Sequence, residues 1–80
     1  MSPARKPLDL NTFKGRFAWR LMALREKAKL TAEKAAVQIG VSVNTIYAWE
    51  SATNAPHPWT FPKIAKIYKV NKTKNLLPHE

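Results

Sequence analysis

Residues 31–51 constrain this chain more than any other stretch. Gly40 stands between two short segments of helical spacing, and Ser42 follows it two residues later. Glycine accepts the left-handed backbone that often ends a helix. A serine or threonine oxygen caps the unpaired N–H groups at a helix start. Thr31 offers such a cap ahead of Ala32-Glu33-Lys34-Ala35-Ala36-Val37-Gln38-Ile39, and Ser42 offers one ahead of Val43. The pattern predicts one helix over 32–39, a stop at Gly40, and a second helix over 43–51. Two helices joined so tightly need a small residue where they cross, and Ala36 supplies it. Ile39, Val41, Ile46 and Trp49 are then placed to fill the wedge between them.

The flanking sequence supplies the rest of an all-α domain. A first helix is expected to begin between Asp9 and Thr12. Phe13, Phe17, Leu21, Leu24 and Ala28 are spaced along one of its faces, with Arg16, Arg20 and Lys27 on an edge. Trp19 falls nearly opposite and is expected to be exposed. Thr53, Asn54, Pro56 and Pro58 mark a loop over 52–60. A fourth helix should start at Thr60, with Pro62 in its first turn, where a missing N–H costs little. Ile64, Ala65, Ile67 and Tyr68 give its apolar face, and Lys63, Lys66 and Lys69 the other side. Leu76 and Leu77 can pin a short last turn before Pro78. Residues 1–8 read as a flexible basic arm and 9–80 as one compact four- or five-helix domain. The chain of 80 residues suits a single domain with a modest core.

Charge narrows the partner. Fourteen Lys and Arg against five Asp and Glu give a net charge of +9. Such a chain prefers polyanions. No apolar run approaches a membrane span, and the basic N-terminus lacks the apolar stretch of a secretory signal. A cytoplasmic, nucleoid-associated protein with no membrane partner is therefore expected. Cysteine is absent, and His57 and His79 belong to no ligand cluster, so neither metal nor cofactor is expected. No serine, histidine or carboxylate constellation suggests catalysis, and the chain reads as a binding protein rather than an enzyme.

With its two helices and glycine turn, the central segment has the shape of a helix-turn-helix. Around it stand Leu24-Arg25-Glu26, Ala36 to Ile46, Trp49-Glu50, Pro56, and Lys63-Ile64-Ala65-Lys66 before Val70. In these residues the chain resembles the Cro- and lambda-repressor-type helix-turn-helix DNA-binding family, in its xenobiotic-response-element-like group. The resemblance implies a transcriptional regulator that binds double-stranded DNA, usually as a homodimer. It places the helix over 43–51 in the major groove, with Val43, Asn44, Tyr47 and Ala48 toward base edges. It also implies an ion pair between Arg25 and Glu50. Three positions depart from the pattern. Ala52 stands where glycine is usual, Ala35 where a larger aliphatic is usual, and Pro58 and Pro62 suggest a shortened or displaced fourth helix.

The expected reading helix carries no cation, since no Lys or Arg occurs between Ala35 and Pro62. Phosphate contacts are therefore assigned to Ser42, Thr45, Arg16, Arg20, Lys34, Lys63 and Lys66, and base contacts to uncharged side chains only. Asn44 suits adenine, and Val43 or Ala48 a thymine methyl. Two function classes fit these features. One is a sequence-specific DNA-binding regulator, repressor-like and dimeric. The other is an antitoxin-like or adaptor module that mainly holds a protein partner, for which an exposed Trp19 would be suited.

Overall fold

The computed structural model describes residues 8–78, with Thr73 and Lys74 described by their backbone alone. Nearly all of the expected basic arm, residues 1–7, lies outside this range. Four α-helices follow one another: α1 Phe13–Lys27, α2 Ala32–Ile39, α3 Val43–Glu50 and α4 Phe61–Ile67. Short 3-10 turns at Pro58–Thr60 and Thr73–Leu76 complete the order, and no strand occurs among the described residues. The fold is all-α.

Side-chain caps set the helix starts. Thr12, Thr31 and Ser42 are the N-caps of α1, α2 and α3, accepting from Gly15 N, Lys34 N and Thr45 N. At α1 the preceding turn is drawn in tightly: Thr12 Oγ1 donates to Asp9 O at 2.8 Å, and Asn11 N donates to Asp9 Oδ1 at 3.0 Å. Gly15 makes this possible, because a Cβ there would collide with the Asp9 carbonyl.

The helix ends share one geometry. Gly40 is left-handed at φ 91°, and Lys29, Ala52 and Lys69 take φ of 61°, 62° and 60° after α1, α3 and α4. In each case the next N–H returns to a carbonyl five residues back: Leu30 to Arg25, Val41 to Ala36, Thr53 to Ala48 and Val70 to Ala65. The departure at Ala52 thus leaves the end of α3 in the usual shape, held by a residue with a Cβ. Left-handed backbone costs a non-glycine residue about 1–2 kcal/mol. Glycine gives some of that back through a freer unfolded chain. Ala52→Gly is therefore expected to stabilise by about 0.5–1 kcal/mol, a few degrees in melting temperature. An unchanged or lower melting temperature would contradict a strained end to α3.

The core gathers one face of every helix: Phe17, Leu21 and Leu24 from α1, Ala32, Ala35, Ala36 and Ile39 from α2, Ile46 and Trp49 from α3, and Ile64, Ala65 and Tyr68 around α4. Leu76 of the last turn closes it, fully buried. Ala35 is also fully buried, in a core that contains the rings of Phe17, Trp49 and Tyr68. Helix α4 is seven residues long with Pro62 in its first turn, and Pro58 opens a 3-10 turn that feeds it.

Phe13 corrects an expectation. It lies on the apolar face of α1 by spacing, yet is 52% exposed. Its ring contact is with Phe17, at 6.0 Å between centroids, and Phe17 in turn meets Phe61 edge-on at 5.8 Å. Spacing identifies a face but not how far neighbouring elements cover it. Trp19 is half exposed, as its place on the helix predicts.

Candidate nucleic-acid interface

Helix α3 is packed on α2 and α1 through Ile46, Trp49 and Glu50, which are its buried residues. At about 100° per residue this leaves Asn44, Ala48 and Ser51 along the outward line, with Tyr47 beside them. Asn44 is exposed, and Tyr47, Ala48 and Ser51 are half-buried. Val43, also expected at base edges, is half-buried. It sits in the first turn, packed in part against the core, and so does one side of Tyr47. A side chain in the first turn leans back toward the preceding turn of chain, which here carries Val41 into the same core.

Ser51 was not among the expected contacts. Its spacing from Asn44 and Ala48 places it on their stripe, which the helical period alone could have revealed. Its hydroxyl donates to Ala48 O at 3.3 Å and shares a hydrogen bond with Thr53 Oγ1 at 2.9 Å. Ser42 and Thr45 are tied to each other, with 3.0 Å between their hydroxyl oxygens, while Ser42 Oγ also caps α3. The stripe is therefore uncharged, and its polar groups are small.

What holds α3 in place is charged. Arg25 Nε donates to Glu50 Oε2 at 2.7 Å and Nη2 to Glu50 Oε1 at 3.0 Å. A third donor, Nη1, reaches Leu30 O at 2.8 Å. One guanidinium thus joins α1, the α1–α2 connection and the end of α3. The Glu50 side chain is 1% exposed and that of Arg25 11%. The hydrogen bond to Glu50 raises the Arg25 pKa against the opposing effect of burial. Tyr68 lies close enough to feel both charges. Burial first, and then Glu50, push its phenol above the ordinary range, and Arg25 partly offsets this.

The expected phosphate ligands divide into two groups. Lys34 is exposed on α2, and Lys63 and Lys66 on α4. Lys63 Nζ lies beside the turn between α2 and α3, where a Cβ on Gly40 would meet it at 3.3 Å. Arg16 and Arg20 point elsewhere. They lie roughly 180° and 140° around α1 from Arg25, and so away from α3. Arg16 Nη1 donates to Leu10 O at 3.3 Å, and Arg20 donates to Asn75 O through Nε at 3.2 Å and Nη2 at 3.0 Å. The sequence could not show this, because it depends on where the last turn packs. Lys14, which lies within about 20° of Arg25 around α1, was missed. Its ammonium donates to Thr53 O at 3.5 Å, just past the end of α3.

Two short helices joined by a left-handed turn, the second with an outward stripe and a buried anchor, define a helix-turn-helix protein, a class that binds DNA through its second helix. Residues 16–76 match the family described as a helix-turn-helix domain, and the chain belongs to that family. No curated protein matches the chain. Among the described residues no helix is long and apolar enough to cross a membrane, and no group of three or more His, Asp or Glu is placed to hold a metal ion.

Proposed function

We propose that this protein is a sequence-specific regulator of transcription of the Cro- and lambda-repressor type, which lays α3 in the major groove of double-stranded DNA. The observation that carries this reading is the outward stripe of Asn44, Ala48 and Ser51 on a helix whose opposite side is fixed by Ile46, Trp49 and the Arg25–Glu50 pair. Phosphate contacts position such a domain and base contacts specify the site. Lys34, exposed on α2, and Lys63, beside the Gly40 turn, serve the first role, together with Lys14 past the end of α3 and the exposed Lys66. The chain acts as a homodimer on two half-sites, which doubles a small contact surface.

Base reading falls to Asn44, with Ala48 and the half-buried Tyr47 and Val43 adding apolar contact. Asn44 can pair with adenine N6 and N7, which is worth about 1–3 kcal/mol of discrimination. Without a cation on α3, no side chain offers the bidentate contact to guanine. The half-site is therefore A·T-rich under α3. Selection from a randomised duplex library tests this. Asn44→Ala should lose preference at one base pair, by about 10-fold or more, while binding to non-specific duplex stays the same. A G·C-only site, or a base preference that survives Asn44→Ala, would place the wrong residues in the groove.

A further inference from the structure

On the side of α1 turned away from α3, a shallow groove is lined by Leu10, Arg16, Trp19, Arg20 and Pro78. Its surface is largely apolar, and Trp19 presents about half of its area to solvent. Apolar surface flanked by two guanidinium groups stands open here between α1 and the segments that carry Leu10 and Pro78. Among the described residues, neither arginine has a carboxylate partner in the groove. Arg16 is held by Leu10 O through a single Nη1 donor, and Arg20 by Asn75 O through Nε and Nη2. A guanidinium has five donors, so each arginine keeps further N–H groups for an incoming group. The backbone carbonyls fix both heads in place before anything binds, which lowers the entropy cost of using them.

We propose that this groove docks an acidic segment of a partner protein, with an apolar side chain seated on Trp19 and carboxylates set against Arg16 and Arg20. Charge decides the occupant. A second copy would bring the same patch against itself, setting four guanidiniums together in a chain that already carries +9. A flat anionic membrane would meet the arginines but leave the concave apolar floor unfilled. An acidic segment with one or two large apolar side chains satisfies both features, and Trp and Arg are the residue types that most often dominate such contacts. Because the groove lies on the far side of α1 from the outward stripe of α3, the segment can dock while α3 is engaged.

The test uses the full chain and a fluorescent panel of short peptides, each with Leu, Phe or Trp flanked by Glu, beside matched peptides with Gln for Glu. Binding is read by anisotropy, and the fold of each variant by thermal melting. The acidic peptides should bind, and the Gln peptides about 10-fold more weakly, since each charge-assisted hydrogen bond contributes roughly that factor. Trp19→Ala should weaken the acidic peptides by about 30-fold. Arg16→Gln should remove most of the preference for Glu over Gln, and Lys63→Gln should leave peptide binding unchanged. Each of these sites is partly or fully exposed, so the melting temperature should stay close to that of the parent. The proposal is overturned if no peptide binds, if Trp19→Ala binds as well as the parent, or if Lys63→Gln rather than Arg16→Gln abolishes binding. It is also overturned if Trp19 responds only to phosphatidylserine vesicles, or if it is needed only for self-association.

Discussion

Glu50→Ala is expected to lower the unfolding free energy by about 3 kcal/mol, on the order of 15 °C in melting temperature for a domain of this size. The reason lies in what the substitution leaves behind. The Arg25 guanidinium is mostly withdrawn from water and gives two of its donors to Glu50. Without the carboxylate it is a buried charge that keeps only the Leu30 carbonyl. Arg25→Ala removes the guanidinium from the buried carboxylate instead and should cost a comparable amount. Replacing both residues by Met removes the charges together and should recover a substantial part of the loss, because desolvation offsets much of what a buried pair contributes. Thermal melting of the three variants checks this. Melting temperatures that stay at the parent value for both alanine variants would show that the pair contributes nothing to holding α3.

Binding to random-sequence duplex is expected to weaken by about 10³-fold between roughly 50 and 200 mM salt, as for about six neutralised phosphates. The net charge of +9 supplies the attraction, and none of it resides on α3 apart from the opposing Glu50. Cations outside the reading helix therefore set the slope. Lys63→Gln should lower the salt slope by about one phosphate contact while leaving base preference intact. Removal of residues 1–7 should weaken every duplex and flatten the slope if those basic residues follow the backbone. An affinity that is flat across this salt range would remove the DNA-binding reading, whatever the state of the fold.

The parts of the molecule legible in the sequence are those fixed by local chemistry. Thr31, Gly40 and Ser42 set the limits of α2 and the start of α3 through caps and a left-handed turn that involve only neighbours in the chain. Ile46 and Trp49 follow from the helical period. The remaining features depend on what lies across from each residue. Phe13 shares the spacing of Phe17 but not its cover. Val43 and Asn44 are adjacent, and the packing of the first turn of α3 decides that one leans on the core while the other faces out. Arg16 and Arg20 read from the sequence only as basic residues of α1, and the Asn75 carbonyl that holds Arg20 is brought there by the fold alone. Ser51 was within reach of the sequence, since it repeats the stripe of Asn44 and Ala48 one turn later.

The division of labour on α3 bears on how such a protein can change. Ile46, Trp49 and Glu50 carry the helix into the core, whereas the Asn44 side chain and the Ala48 methyl make no hydrogen bond to the rest of the described chain. A new side chain at the exposed position 44 thus alters the outward surface of α3 without removing a hydrogen bond within the described chain. Substitutions at exposed positions of this kind usually shift stability by no more than about 0.5 kcal/mol. Under the proposed function, descendants of this chain change the site they read by single steps at position 44, each intermediate remaining a folded protein.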